Sequence, residues 1–237
     1  MADDKKPQDE NVHAGHRRRL RGRFRTHGLD SFNDHNALEL LLFYAQPRGD
    51  TNPLAHTLMK RFGSFAGVFD ASLDDLEKTD GVGENTATLI KLVTQIARRY
   101  HISRRQPEKV LGSSHAAGEF MLPYFFGEPD ECVYICCLDS KRTVLGVQPL
   151  FRGDVNSVAF SMRRLVESAL SYNAAGVILA HNHPSGIALP SSEDSETTRR
   201  AEAALSAVGI ALVDHIVVAD DDFVSFADNG FFNARIK

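Results

Sequence analysis

The stretch AGVILAHNHP, residues 175–184, constrains the fold of this chain more than any other. Its first six residues are apolar or glycine with no polar alternation, the pattern of a strand covered on both faces, and Pro184 ends the pairing. Helical and strand patterns flank it. A helical pattern at 115–126 precedes a strand pattern at 132–138, a turn at DSKR and a second strand at 144–151. An amphipathic helix through Leu165, Val166, Ala169 and Leu170 leads into the buried strand, and Thr197, Ala201, Ala204, Leu205 and Val208 mark another beyond it. IALVDHIVVA and FVSF close the region as a hairpin across ADDD. Residues 114–237 therefore read as one α/β domain. With 43% of its 237 residues hydrophobic and 24% charged, the chain can fill such a core, which excludes a disordered chain or a disulfide knot.

The first half carries no strand pattern. Residues 1–12 are polar and read as a disordered tail, and order is expected from residue 13, where Leu20 and Phe24 recur at helical spacing among six arginines between Arg17 and Arg25. Apolar helices follow at 38–43 and through Leu54, Leu58 and Phe62, with short helical turns around Val68 and Leu76. GVG at 81–83 then precedes a long helix bearing Ala87, Ile90, Leu92 and Val93. Two glycines one residue apart leave backbone N–H groups exposed at a helix start, which suits a phosphate oxygen; the same pair suits a plain helix C-cap and left-handed turn. The arrangement resembles the helix-hairpin-helix module, which grips DNA backbones without reading bases.

Charge points the same way. The net charge of −4 hides a split: residues 1–110 hold 18 Lys and Arg against 15 Asp and Glu, a net of +3, and the remainder nets −7. Weak, sequence-independent contact with DNA is expected through Arg17, Arg18, Arg19, Arg21, Gly81 and Gly83, a solvated basic face being the alternative. The polar RRQPEKVLGSS, with Pro107 and Gly112, marks a linker at 106–113 and bounds the helical module at 13–105. Cys132, Cys136 and Cys137 fall in one apolar run without a CxxC pair and read as reduced strand residues. No signal-peptide pattern follows Met1 and no run of about 18 apolar residues offers a membrane span, so a cytoplasmic protein is expected.

The chemistry concentrates in HNHPSGIALPSSED, 181–194. His181 and His183 stand two apart at a strand end, so both imidazoles emerge on one face. The loop reverses through Gly186 and Pro190, a helix is expected from about Ser192, and Asp194 falls in its first turn. Two imidazoles and one carboxylate, with a fourth position left for water, make the ligand set of a catalytic zinc site. The same residues also fit hydrogen-bonded histidines beside an S-x-x-D capping box at Ser191. His215, in VDHIVV, fits either a core histidine bonded near Asp214 or an additional site residue.

The pattern H-x-H-P-x6-S-x2-D, on His181, His183, Pro184, Ser191 and Asp194, resembles the JAMM motif of the MPN/JAB metalloproteases. HNHPSG with LVDHIVVA at 212–219 resembles more narrowly the bacterial RadC family, as do GHRRRLRGRF, DTNPLAH and DGVGENTATLIK in the first half. The resemblance implies an α/β JAB/MPN domain of cytidine-deaminase-like fold behind a helix-hairpin-helix module. It implies Zn²⁺ held by His181, His183 and Asp194, a metal-held water as nucleophile, and Ser191 as the hydroxyl that steadies the oxyanion. It further implies a glutamate at the start of a strand that follows a helix, as proton carrier. Glu131 stands at that position, with Glu167 as competitor. The expected reaction is hydrolysis of a peptide or isopeptide bond in an unknown protein or peptide substrate. The alternatives are a non-catalytic DNA-binding or repair accessory with a structural zinc, and a metal-dependent nuclease.

Overall fold

The computed structural model describes residues 9–104, 109–153 and 161–231. The chain divides into two compact units, Met1–Ile96 and Ala97–Lys237. The N-terminal region is helical: α1 (Asp9–His27), α2 (Asp34–Ala45), α3 (Asn52–Phe62), α4 (Phe65–Asp70), α5 (Leu73–Glu77) and α6 (Glu84–Ser103). Local chemistry sets the helix starts. Asn33, Ser64 and Ser72 each accept the backbone N–H of the third residue beyond through the side chain, relieving an amide that the first turn cannot satisfy. Pro53 occupies the first turn of α3, where its missing N–H costs nothing, and Gly63 ends that helix at φ +80°. Leu38, Leu42, Leu54, Leu58, Val68, Leu76, Ala87 and Ile90 form the core of this unit.

The GVG turn joins α5 to α6. Gly81 adopts φ +84°, a conformation that a Cβ would strain, and Gly83 supplies the carbonyl that accepts the Ala87 N–H at the start of α6. The tail expected over 1–12 falls partly on residues 1–8, outside the described residues; α1 begins at Asp9. The expected linker loses 106–108 in the same way. From Lys109 onward it is tied down, with Val110 bridging Thr143 and the Leu111 N–H bonded to the Arg142 carbonyl. The division into units falls inside α6, ahead of the polar segment, because the last turns of that helix belong to the second unit: Arg98 bonds Glu128, and the His101 ring lies 5.8 Å from that of Phe126.

The second unit is a five-stranded sheet between helical layers. Its elements are α7 (Ser114–Met121), β1 (Glu131–Leu138), β2 (Val144–Gly153), α8 (Met162–Ser171), β3 (Gly176–Asn182), α9 (Ser192–Ser206), β4 (Ala211–Ala219) and β5 (Asp222–Ser225). The strand order is β2-β1-β3-β4-β5; β3 and β4 run parallel, linked by α9, and the other pairs are antiparallel. The expected helix at 115–126 is shorter. Pro123 removes an N–H and crowds the preceding turn, so α7 stops at Met121 and Leu122–Phe125 tighten into a 3-10 turn.

Alternation sorts the core into two layers. Val133, Ile135, Cys137, Val177 and Leu179 pack with Leu165, Ala169, Ala201 and Leu205 of α8 and α9. Cys132, Cys136, Ile178 and Ala180 pack on the other face with Phe120, Met121 and Phe125. Every residue of β3 is buried, which is why its sequence shows no polar alternation. The three cysteines are free and buried. Among the described residues no helix is long and apolar enough to cross a membrane.

Candidate metal centre

The carboxyl end of β3 and the amino end of α9 meet on the α8/α9 face of the sheet. His181 is in register with Val133 of β1 and Val217 of β4, so it shares a face with Leu179. His183 follows one residue beyond the strand. Its N–H donates to the Val218 carbonyl, and its Nδ1 lies 3.1 Å from the Ile187 carbonyl oxygen, which leaves Nε2 facing His181. Asp194 sits in the first turn of α9 within a complete capping box. Its N–H donates to Ser191 Oγ (3.1 Å), while the Ser191 N–H and hydroxyl both donate to Asp194 Oδ2 (2.7 Å each).

These three side chains converge. His181 Nε2 lies 3.0 Å from His183 Nε2 and 3.1 Å from Asp194 Oδ1, and His183 Nε2 lies 3.4 Å from Asp194 Oδ2. A tetrahedral zinc with ligands at 2.0–2.1 Å requires about 3.3 Å between donor atoms; each contact is near that length, the two to Asp194 ending on different oxygens, and one ligand atom from each residue gives a group within 4.8 Å. The electrostatics match. Burial alone would raise the Asp194 carboxyl, but bonding to His181 and His183 overcomes that and holds it well below the ordinary carboxylate range. His183 is held above its ordinary value chiefly by its hydrogen bond to Asp194. The amino end of α9 adds its partial positive charge beside the carboxylate. The residues present thus fit a divalent metal that accepts imidazole.

Glu131 is the first residue of β1, two before Val133, the register partner of His181. It therefore shares the histidines' face and is buried, and burial pushes its carboxyl above the ordinary value while the nearby His181 and His183 oppose that rise. Asn182, between the two histidines, fixes this placement from the other face. Its Oδ1 accepts the Cys132 N–H at 2.8 Å and its Nδ2 donates to the Asp130 carbonyl at 3.0 Å, clamping the backbone on both sides of Glu131. Glu167 lies elsewhere, exposed on α8 and bonded to Arg163 one turn away at 2.7 Å.

A sequence profile of the RadC-like JAB domain matches residues 111–231. A UPF0758 protein of Ruegeria pomeroyi is 35% identical over 216 residues, covering 91% of this chain and 96% of its own. The chain belongs to the RadC family. Another relative, a UPF0758 protein of Fusobacterium nucleatum, is 32% identical over 228 residues, 93% of this chain and 98% of its own. The JAB/MPN domain is a metallopeptidase-type fold, and the His181, His183 and Asp194 triangle gives this RadC-family chain a group able to hold a metal.

Within the RadC-family domain, Ser191 directs both its N–H and its hydroxyl to the carboxylate of Asp194. His215 is buried and bonded on two sides: its N–H donates to Asp214 Oδ1 at 2.7 Å, while its ring meets His181 Nδ1 at 2.8 Å and Thr198 at 2.6 Å. Burial holds its imidazole well below the ordinary value. Asn182 and Thr198 carry no signal of their own in the sequence. Asn182 is visible there only as the filler of H-N-H, and Thr198 only as a residue on a helix otherwise marked by its alanines and leucine.

The residues expected to meet DNA divide in two. Arg18, Arg19 and Arg21 are exposed on α1, and Gly81 and Gly83 are exposed in the hairpin. Arg17 is engaged inside the helical unit. Its Nη2 donates at 2.8 Å to the carbonyls of both Gln46 and Gly49, and its guanidinium lies 4.5 Å from the Phe43 ring centroid. It closes the carboxyl end of α2, and burial lowers its pKa.

Proposed function

We propose that this chain is a JAMM-type zinc metallohydrolase cleaving a peptide or isopeptide bond, with a helical module that contacts the DNA backbone. One observation carries the reading: two imidazoles and a carboxylate whose ligand atoms, one from each residue, lie within 4.8 Å of one another, with a buried glutamate on the same face of the sheet. Zinc, when bound there, supplies Lewis acidity and brings the pKa of a held water down to about 7. His181, His183 and Asp194 hold it. Glu131, whose carboxyl is raised by burial, is suited to take a proton from the attacking water and return it to the departing amine. Ser191 keeps Asp194 turned inward through its N–H. Its hydroxyl steadies an oxyanion only by rotating away from Asp194 Oδ2.

A structural zinc in an accessory protein is the weaker reading, because structural sites are closed by four protein ligands and this group has three among the described residues. A Mg²⁺ nuclease favours an oxygen-only set over two imidazoles. The exposed Arg18, Arg19 and Arg21 support DNA contact, and the free, buried cysteines support action in the reducing cytoplasm.

The test assays zinc-loaded full-length protein on peptide and isopeptide libraries. Glu131→Gln should keep one zinc per chain and lose about 10²–10⁴-fold in hydrolysis. Unchanged hydrolysis in Glu131→Gln would remove that residue from proton transfer, and a zinc-loaded wild type inert on every amide would favour the accessory.

A further inference from the structure

We infer that His215 and Thr198 are positioning residues that fix the tautomer and ring orientation of His181 and lock it to the other end of the ligand set. This rests on the metal-centre reading above. Four groups lie in line. His181 Nδ1 is 2.8 Å from His215 Nε2, His215 Nδ1 is 2.6 Å from Thr198 Oγ1, and Thr198 Oγ1 is 2.5 Å from the Asp194 carbonyl oxygen. All four residues are buried, with no more than 3% exposed.

Only one polarity satisfies every atom once His181 acts as a ligand. Nε2 is its metal-facing nitrogen, being the one near His183 and Asp194. A neutral imidazole that gives the Nε2 lone pair to a metal keeps its proton on Nδ1, so Nδ1 must donate. His215 Nε2 therefore accepts, His215 carries its proton on Nδ1, and that proton points to Thr198 Oγ1. The Thr198 hydroxyl hydrogen goes to the Asp194 carbonyl, the oxygen one helical turn earlier. Reversing any link leaves either two protons or two lone pairs facing each other in a sealed site, where water cannot satisfy them.

The topology makes the connection. His215 stands opposite Leu179, two positions from the register partner of His181 on the same face of the parallel β3/β4 pair. Thr198 is one turn after Asp194 on α9. The chain of bonds therefore leaves one ligand and ends on the backbone of another, so strand and helix cannot slide without bending a metal ligand. Phe226 stacks on the His215 ring, with centroids 4.9 Å apart and planes 16° apart, and holds its plane. Outer partners of this kind commonly shift metal affinity about 10–100-fold when removed.

The experiment measures zinc affinity by chelator competition on the full chain, beside thermal unfolding and ¹⁵N NMR of the imidazoles. His215→Phe keeps the ring and its stacking on Phe226 but removes the acceptor; zinc should bind about 10–100-fold more weakly in folded protein. His215→Gln, which offers a carbonyl toward His181, should recover part of the loss. Thr198→Val, nearly isosteric, should weaken zinc by about tenfold, and Thr198→Ser should restore it. In zinc-loaded wild type the proton of each of His181 and His215 should be found on Nδ1. If His215→Phe does not fold, the Thr198 pair decides. Wild-type affinity in both His215→Phe and Thr198→Val, or a His215 proton on Nε2, overturns the inference while leaving the metal centre standing. A wild type that takes up no zinc overturns the metal centre itself, and this inference with it.

Discussion

Both halves of the molecule bury carboxyl groups, and Glu39 in the first and Asp194 in the second are treated oppositely. Glu39 of α2 is fully enclosed and surrounded by donors: Asn36 Nδ2 at 3.3 Å, Asn52 Nδ2 at 3.0 Å and His16 Nε2 at 2.8 Å. Its oxygens are satisfied, and it ties α1, α2 and α3 together. Asp194 instead faces two imidazole nitrogens that also face each other, so donor atoms converge on one point. A carboxylate met by two amides and a single imidazole is an internal strut, whereas one that draws two imidazoles to the same place invites a cation. The difference lies in the partners, since both carboxyls are buried.

Exchanging the two perturbations gives the largest expected contrast. Asp194→Ala should abolish zinc binding and leave the fold largely intact, because the domain has its own apolar core. Glu39→Ala should do the reverse, keeping one zinc per chain while losing about 1–3 kcal/mol of stability, since two half-buried amides and His16 lose their acceptor. Zinc analysis and denaturant unfolding of both variants check this. Loss of zinc in Glu39→Ala would collapse the distinction.

A smaller effect sharpens the comparison within the helical half. Arg17, bonded to the Gln46 and Gly49 carbonyls, should behave as a strut, so that Arg17→Ala lowers the melting temperature and barely changes the salt dependence of DNA binding. Replacing Arg18, Arg19 and Arg21 by alanine should leave stability nearly unchanged and flatten the slope of log affinity against log salt by about 0.9 for each phosphate that is no longer neutralised. Titrations at several salt concentrations separate these outcomes. Equal slope changes from Arg17 and from the exposed set would erase the division.

What is legible in the sequence follows from the range of each interaction. His181 and His183 can be read because strand periodicity alone puts residues two apart on one face, and Ser191 with Asp194 because a capping box is a local motif. The arginine run is legible as charge, but not which arginine is drawn into capping α2, because Gln46 and Gly49 lie 29 and 32 residues from Arg17. His215 joins the metal centre only through the parallel register of β3 and β4, which no local pattern encodes, so hydrophobic alternation alone fits a core residue equally well. Glu39 is hidden by its apolar surroundings in ALELLLFYA, where one acidic residue looks like the exposed edge of a helix. Glu131 stands out only through the family resemblance, being otherwise one of 31 acidic residues, and the clamp that holds it, Asn182, stands 50 residues from the amide it accepts.

X-ray absorption at the zinc K-edge, on the zinc-loaded full chain, tests the central claim most directly. Two imidazoles, one carboxylate and one exchangeable oxygen should give a shell of about four nitrogen and oxygen neighbours at about 2.0–2.1 Å, with imidazole scattering beyond it. The shell should disorganise or vanish in His183→Ala. A sulfur shell at about 2.3 Å, or an unaltered spectrum in His183→Ala, would contradict a centre built from His181, His183 and Asp194.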